Sequence, residues 1–149
     1  MSLNNNQIPV YSITPFTDVA VLSAATAGVM GTDTNGQVIC TGSTNGSRVY
    51  GLFGNTTDTA ANNLFIYIKS TNGILKPLGQ VNIPLSSGNL ASTLNVDCMD
   101  PTVLKGLPVD NTGKRYIELA ANDQLKCSVV ANMTAAKNCY VTAMGAHYA

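Results

Sequence analysis

TGSTNGSRVYGLF, residues 41–53, is the stretch on which the fold depends. It is a glycine-studded polar loop with one arginine, and it runs straight into a β-branched and aromatic segment. A phosphate-binding loop would be followed by a helix, whose first N–H groups and dipole face the anion. Val49, Tyr50 and Phe53 follow instead, residue types that suit a pleated, half-buried strand. Asn-Gly readily takes positive φ at both central positions of a type I′ turn. The expected structure is therefore a β-hairpin. Asn45-Gly46 turns between apolar segments at 38–40 and 49–53, and Arg48 is presented at the exit.

The same alternation of apolar and polar residues recurs on both sides, broken by clusters of Gly, Asn, Asp, Thr and Ser. Upstream, segments 18–25 and 36–40 read as strands separated by GTDTNG. Residues 8–13 contain Pro9 and are followed by Pro15, which suits an edge strand or an extended arm, because proline cannot donate to a ladder. Downstream, LFIYIK at 64–69 sets Leu64, Ile66 and Ile68 on one face and Phe65, Tyr67 and Lys69 on the other. Asn72-Gly73 turns this strand into 74–83, where Pro77 and Gly79 predict a bulge or a sheet edge.

Segments 90–96, 115–119, 125–131 and 139–146 complete the set. In 125–131, Leu125, Cys127 and Val129 define a core face, and Lys126 and Ser128 a wetter one. Only DPTVLKGLP carries a helical cue, with Asp100 placed to cap, Pro101 in the first position and Gly106 to stop a single turn. The sum is an all-β chain of about eight to ten short antiparallel strands, a jelly-roll-like β-sandwich. Its expected organisation is an extended N-terminal arm over 1–16 and a sandwich domain over 17–149.

Only 11% of residues are charged, against about 25% in ordinary soluble domains, and eight cations balance eight anions. With no basic stripe to neutralise phosphates, nucleic-acid binding is not expected. The polar surface must be built from Asn, Thr, Ser and Gly, which suits a subunit of an assembly better than a free monomer. The first residues lack a signal-peptide pattern and no apolar run is long enough to span a membrane, so cytosolic synthesis is expected. The sequons at Asn45, Asn55 and Asn132 then read as chance matches.

Chemistry has few candidates. Cys40, Cys98, Cys127 and Cys139 form no C-x-x-C pair, and His147 is the sole histidine, so neither a metal nor a cofactor site is expected. If 124–131 and 139–147 form a hairpin centred near Ala135, Cys127 sits opposite Ala143 rather than Cys139. Buried free thiols are therefore expected. Asp97 and Asp100 lack a calcium-loop pattern, and Asp100 suits a cap or turn. No base–nucleophile arrangement surrounds His147, so the chain reads as non-enzymatic. A tyrosine-lined sugar groove remains an alternative, although there is no Trp.

STNGSRVYGLF, LFIYIKS, LAANDQLKCSVVAN and the terminal NCYVTAMGAHYA, with VYSITPF near the start, carry a resemblance. The chain resembles small single-domain β proteins encoded among the structural genes of tailed bacteriophages and prophages. Asn122-Asp123 stands where that family often has glycine, which leaves the turn type there open. The resemblance implies a virion component on the capsid surface, a decoration or cement protein that bridges major capsid proteins. It also implies contact with neighbouring copies of itself, a trimer among the arrangements. A tail or fibre-adaptor protein and a carbohydrate-binding module are the alternatives. Tyr11 and Phe16 on the arm, with Arg48, are the expected contact residues.

Overall fold

A computed structural model describes residues 14–23, 26–90 and 92–148, and among them nine strands and no helix form. They are β1 (Thr14–Ser23), β2 (Gln37–Thr41), β3 (Ser47–Thr56), β4 (Asn62–Lys69), β5 (Leu75–Ile83), β6 (Val96–Asp97), β7 (Ile117–Leu119), β8 (Gln124–Val129) and β9 (Asn138–His147). Sheet A runs β1-β9-β3-β6, with β7 also on β3, and sheet B runs β2-β8-β4-β5. All ladders are antiparallel. The two sheets enclose a core that includes Leu22, Leu52, Leu64, Ile66, Leu125 and Val141. This is the expected all-β sandwich.

The strand orders have a simple origin. The chain folds back on itself at the β4–β5 turn, and its two halves then pair as a ribbon: β4 with β5, β3 with β6 and β7, β2 with β8, β1 with β9. The ribbon is rolled so that successive pairs fall in alternate sheets, which is the jelly-roll arrangement. Where it passes between sheets, its two strands cross together and hydrogen-bond. Gly42 N–H donates to the Asp123 carbonyl at one corner. Gly28 N–H donates to Val129 at a second, and Ser86 N–H to Asp58 at a third.

Residues 41–53 lie at the first of those corners, so the expected hairpin is corrected. β2 belongs to sheet B and β3 to sheet A, and they do not pair. Gly46 N–H does bond back to the Ser43 carbonyl at 2.9 Å, but positive φ occurs only at Gly46 (88°) and not at Asn45. That pattern is a type I turn with glycine just past its centre, rather than type I′. The Ser43 N–H is taken by the Ser47 hydroxyl at 2.9 Å instead of by a facing strand. A side chain thus ends the ladder and frees the backbone to change sheets. Across the corner, Asn122 takes φ 59°, a left-handed conformation that asparagine tolerates better than most side chains.

Asn72-Gly73 does close a hairpin. Gly73 N–H bonds to Ser70, and Ser70 N–H to the Ile74 carbonyl, so the ladder continues into β5. β5 is an edge strand and a register break lies between Ile66 and Tyr67, as Pro77 and Gly79 suggest.

Three further expectations are revised. β1 begins at Thr14, so residues 14–16 of the expected arm are already laddered to His147, Ala146 and Gly145, while 8–13 lie outside the described residues. β8 and β9 fall in different sheets and form no hairpin. Segment 90–96 yields only the two-residue β6 and a bridge between Leu90 and Thr93. Residues 100–104 do make the expected single turn, in which the Asp100 carbonyl accepts from Val103 and Leu104 and its carboxylate caps Thr102 N–H at 2.7 Å. All four cysteines are buried and free, and burial pushes the Cys40, Cys98 and Cys139 thiols up to about 12.

Candidate functional site

The two sheets differ on their outward surfaces. On sheet B the outward side chains of β4 and β8 should be wet, yet Lys126 is 6% and Ser128 2% exposed. Loop 26–36 roofs them. Asp33 reaches down from the loop, with Oδ2 2.6 Å from Lys69 Nζ and Oδ1 2.6 Å from Lys126 Nζ, and Tyr67 donates its hydroxyl to Oδ1 at 2.9 Å. Burial opposes its charge, but the hydrogen bonds from Lys126, Lys69 and Tyr67 outweigh it and hold its pKa at about 2. Gly28 and Gly36 let the roof sit close, since a Cβ would lie 2.4 Å from Ser128 Oγ or 1.8 Å from the Tyr67 hydroxyl.

Asp33 escapes the sequence reading because GTDTNG looks like a plain turn. The available signal is indirect: Tyr67 faces Lys126 across the β4–β8 ladder, so the outward side of sheet B needs an anion.

Among the described residues, sheet A has no such roof. Its register aligns Val21 with Tyr140 and Asn55 in one row, and Val19 with Thr142, Phe53 and Asp97 in the next. Val19 is 52% exposed, Val21 43%, Met144 48% and Tyr50 46%. A bulge between Val49 and Gly51 makes Tyr50 the extra residue and turns it outward. A Cβ on Gly51 would lie 2.9 Å from the Phe53 ring, so the missing side chain lets that ring lie against the strand. Beyond it opens a groove of about 300 Å³, lined by Tyr50 and Phe53 together with Asp97, Pro101, Lys114 and Arg115.

Of the expected contact residues, Tyr11 lies outside the described residues, and Phe16 and Arg48 come to one end of sheet A, flanking Gly145. Phe16 stacks on the His147 ring at 4.6 Å and 22°. Arg48 Nε donates to Glu118 Oε2 at 2.9 Å, and its guanidinium lies 4.0 Å over the Tyr116 ring. Tyr148 donates its hydroxyl to the other Glu118 oxygen. Burial opposes the Arg48 charge, and Glu118 more than offsets it, so its pKa rises. The arginine is thus committed to its own chain, with 29% of its side chain exposed.

Ser47 Oγ lies 2.6 Å from His147 Nδ1. Ser47 is fully buried, and among the described residues no carboxylate touches the ring. No group of three potential metal ligands occurs among the described residues, and no helix there is long and apolar enough to cross a membrane.

The fold and this face define an all-β sandwich protein with one roofed and one open sheet. No family model matches the sequence, and no curated protein matches it. Among solved structures, a chain of the cyanophage Pam1 capsid asymmetric unit is similar over 92% of this chain and 89% of its own, at 11% identity and a TM-score of 0.37. A likeness that loose carries no argument about role.

Proposed function

We propose that this chain is a non-enzymatic structural protein of a tailed-phage virion, which decorates the head and bridges neighbouring major capsid proteins. The observation that carries this reading is the open outer face of sheet A, where Val19, Val21, Tyr50 and Met144 stand exposed on a molecule of zero net charge. Exposed apolar side chains gathered on one surface mark an interaction face. The scarcity of charge removes the repulsion that would keep copies apart on a lattice. Many weak contacts of this kind become strong when one molecule engages several subunits at once. The motif resemblance supports a phage particle as the setting, and the burial of Ser47 beside His147 supports a role without catalysis.

Quantifying the polypeptide against the major capsid protein in gradient-purified particles tests the reading. The expected ratio is roughly one-third to one copy per capsid subunit, as a lattice-wide bridging role requires. A ratio of a few per cent would move the chain to the tail or a vertex, and its absence from particles would overturn the reading. The groove lined by Tyr50 and Phe53 supports a second reading, a saccharide-binding module, because aromatic rings beside polar groups suit sugar rings. Titration with polysaccharides separates the two: Tyr50→Ala abolishes sugar binding only under the second.

A further inference from the structure

Four edges bound this sandwich, and three are blunted against adding another strand. β5 carries Lys76, Pro77 and a register break. β2 is five residues long with a break between Val38 and Cys40. β6 and β7 have two and three residues. Each is a recognised way to stop edge-to-edge association.

β1 is built otherwise. It runs ten residues in unbroken register on β9, from Thr14↔His147 to Ser23↔Asn138, and among the described residues no strand pairs with its other edge. Thr14, Pro15, Thr17, Asp18 and Val19 are all exposed, at odd and even positions alike, so the strand meets solvent on both faces there. Val21 adds a further exposed apolar side chain. A long regular edge with free N–H and C=O groups is a template for strand addition.

We propose that β1 pairs antiparallel with β1 of a second copy, joining two A sheets into one continuous sheet about a two-fold axis. The chemistry of the strand selects a copy of itself. Asp18 is its only charge, so it offers little by which a differently charged strand would be recognised. With the axis at Val19, the rungs run from 16 to 22, stopping short of Pro15, which has no N–H to give; Val19 meets its own counterpart, Val21 meets Thr17, and Asp18 meets Ala20. The one charge therefore never faces its like, and the Val19 pair keeps the centre of the outward seam apolar. Such an interface is isologous and closes at two, rather than growing into fibres. It would also double the open face of sheet A, though the pairing does not depend on the virion reading.

Analytical ultracentrifugation of the full chain from about 10 µM to about 1 mM, with hydrogen exchange at both ends of that range, tests the proposal. The expected result is a concentration-dependent dimer in which β1 amides exchange more slowly at the high end. Val19→Lys with Val21→Lys should weaken dimerisation about thirtyfold or more, and the unchanged thermal midpoint of the monomer would show that the fold is intact. Val19→Cys should form an intermolecular disulfide about tenfold faster than Val109→Cys, an exposed control away from β1, since only a close pair of Cα atoms permits the bond. A monomer throughout the range overturns the proposal. So does a dimer with fast-exchanging β1 amides, which would be joined elsewhere. Slow β1 exchange in a monomer also overturns it, because the edge would then be covered within one chain.

Discussion

The outer faces of the two sheets are built from similar strands and finished in opposite ways. Sheet B has two lysines and a tyrosine pointing outward, and the loop over 26–36, with one aspartate, covers and neutralises them. Sheet A points Val19, Val21 and Met144 outward and leaves them bare. Covering charge and exposing hydrocarbon is the reverse of what a solitary molecule gains from. Ionic groups tolerate water at little expense, whereas apolar side chains lose about 25 cal/mol for every Å² left wet. The difference teaches that the sheet B roof serves the fold, and that the sheet A face is the surface on which the proposed docking would have to occur.

Removing the anchor of the roof should have the largest effect. Asp33→Ala leaves Lys126 buried without a counter-charge and should destabilise the protein by about 3 kcal/mol, read from chemical denaturation. A loss under about 0.5 kcal/mol would mean that the roof is only a surface ion pair. Gly36→Ala drives a methyl group into the Tyr67 hydroxyl and should lift the roof at a cost of about 2 kcal/mol, seen also as faster exchange across 26–36.

Acid should act on the same anchor. The Asp33 carboxyl is held at about 2 in the folded chain against an ordinary 3.8, so its stabilisation is complete above the ordinary value and is lost as pH falls from about 4 toward 2. The swing should be roughly 2 kcal/mol, and Asp33→Asn should remove that part of the pH dependence. On sheet A the expectation is inverted. Val19→Ser with Val21→Ser should change monomer stability by only about 0.5 kcal/mol, yet abolish retention on purified capsids. Full retention would show that the bare face is not the docking surface.

Two copies of one tetrapeptide show how far the sequence could be read. Ser43-Thr44-Asn45-Gly46 and Ser70-Thr71-Asn72-Gly73 make the same turn, each closed by a glycine N–H onto the serine carbonyl with φ near 85° at the glycine (88° and 82°). One closes a hairpin and the other carries the chain between sheets. The tetrapeptide specifies a reversal, and the residues beyond it decide what the reversal joins. After Gly73, Ile74 accepts from the Ser70 N–H and the ladder goes on. After Gly46, Ser47 takes the Ser43 N–H on its side chain, while Gly42 is held against Ala120, whose carbonyl oxygen would be 2.3 Å from a Cβ there.

That second outcome rests on a segment nearly eighty residues downstream, and no local pattern reports it. Strand periodicity was legible because it is local, as at Leu64, Ile66 and Ile68, all buried. Sheet membership was not, and neither was the site. Arg48 looked free at a turn, but Glu118, Tyr116 and Tyr148 reach it from distant segments. Val19 and Val21 read as ordinary strand residues, since whether an outward face is roofed depends on which loop crosses it.

The nested ribbon also imposes an order in time. β4 and β5 are joined by a short turn and can pair as soon as both exist, whereas β1 has no ladder partner but β9, at the far end of the described chain. Closing the shortest loop first and zipping outward from 70–73 keeps each later loop-closure entropy small. β1 would then wait, emerging before β9 and docking last, with its ten-residue edges open in the interval. Pulse-labelled exchange during refolding should show β4 and β5 amides protected first and β1 last, and the opposite order would mean that the ends meet before the middle. During that wait a nascent copy is most exposed to strand capture by its neighbours, so crowded synthesis is where misassembly of this chain would begin.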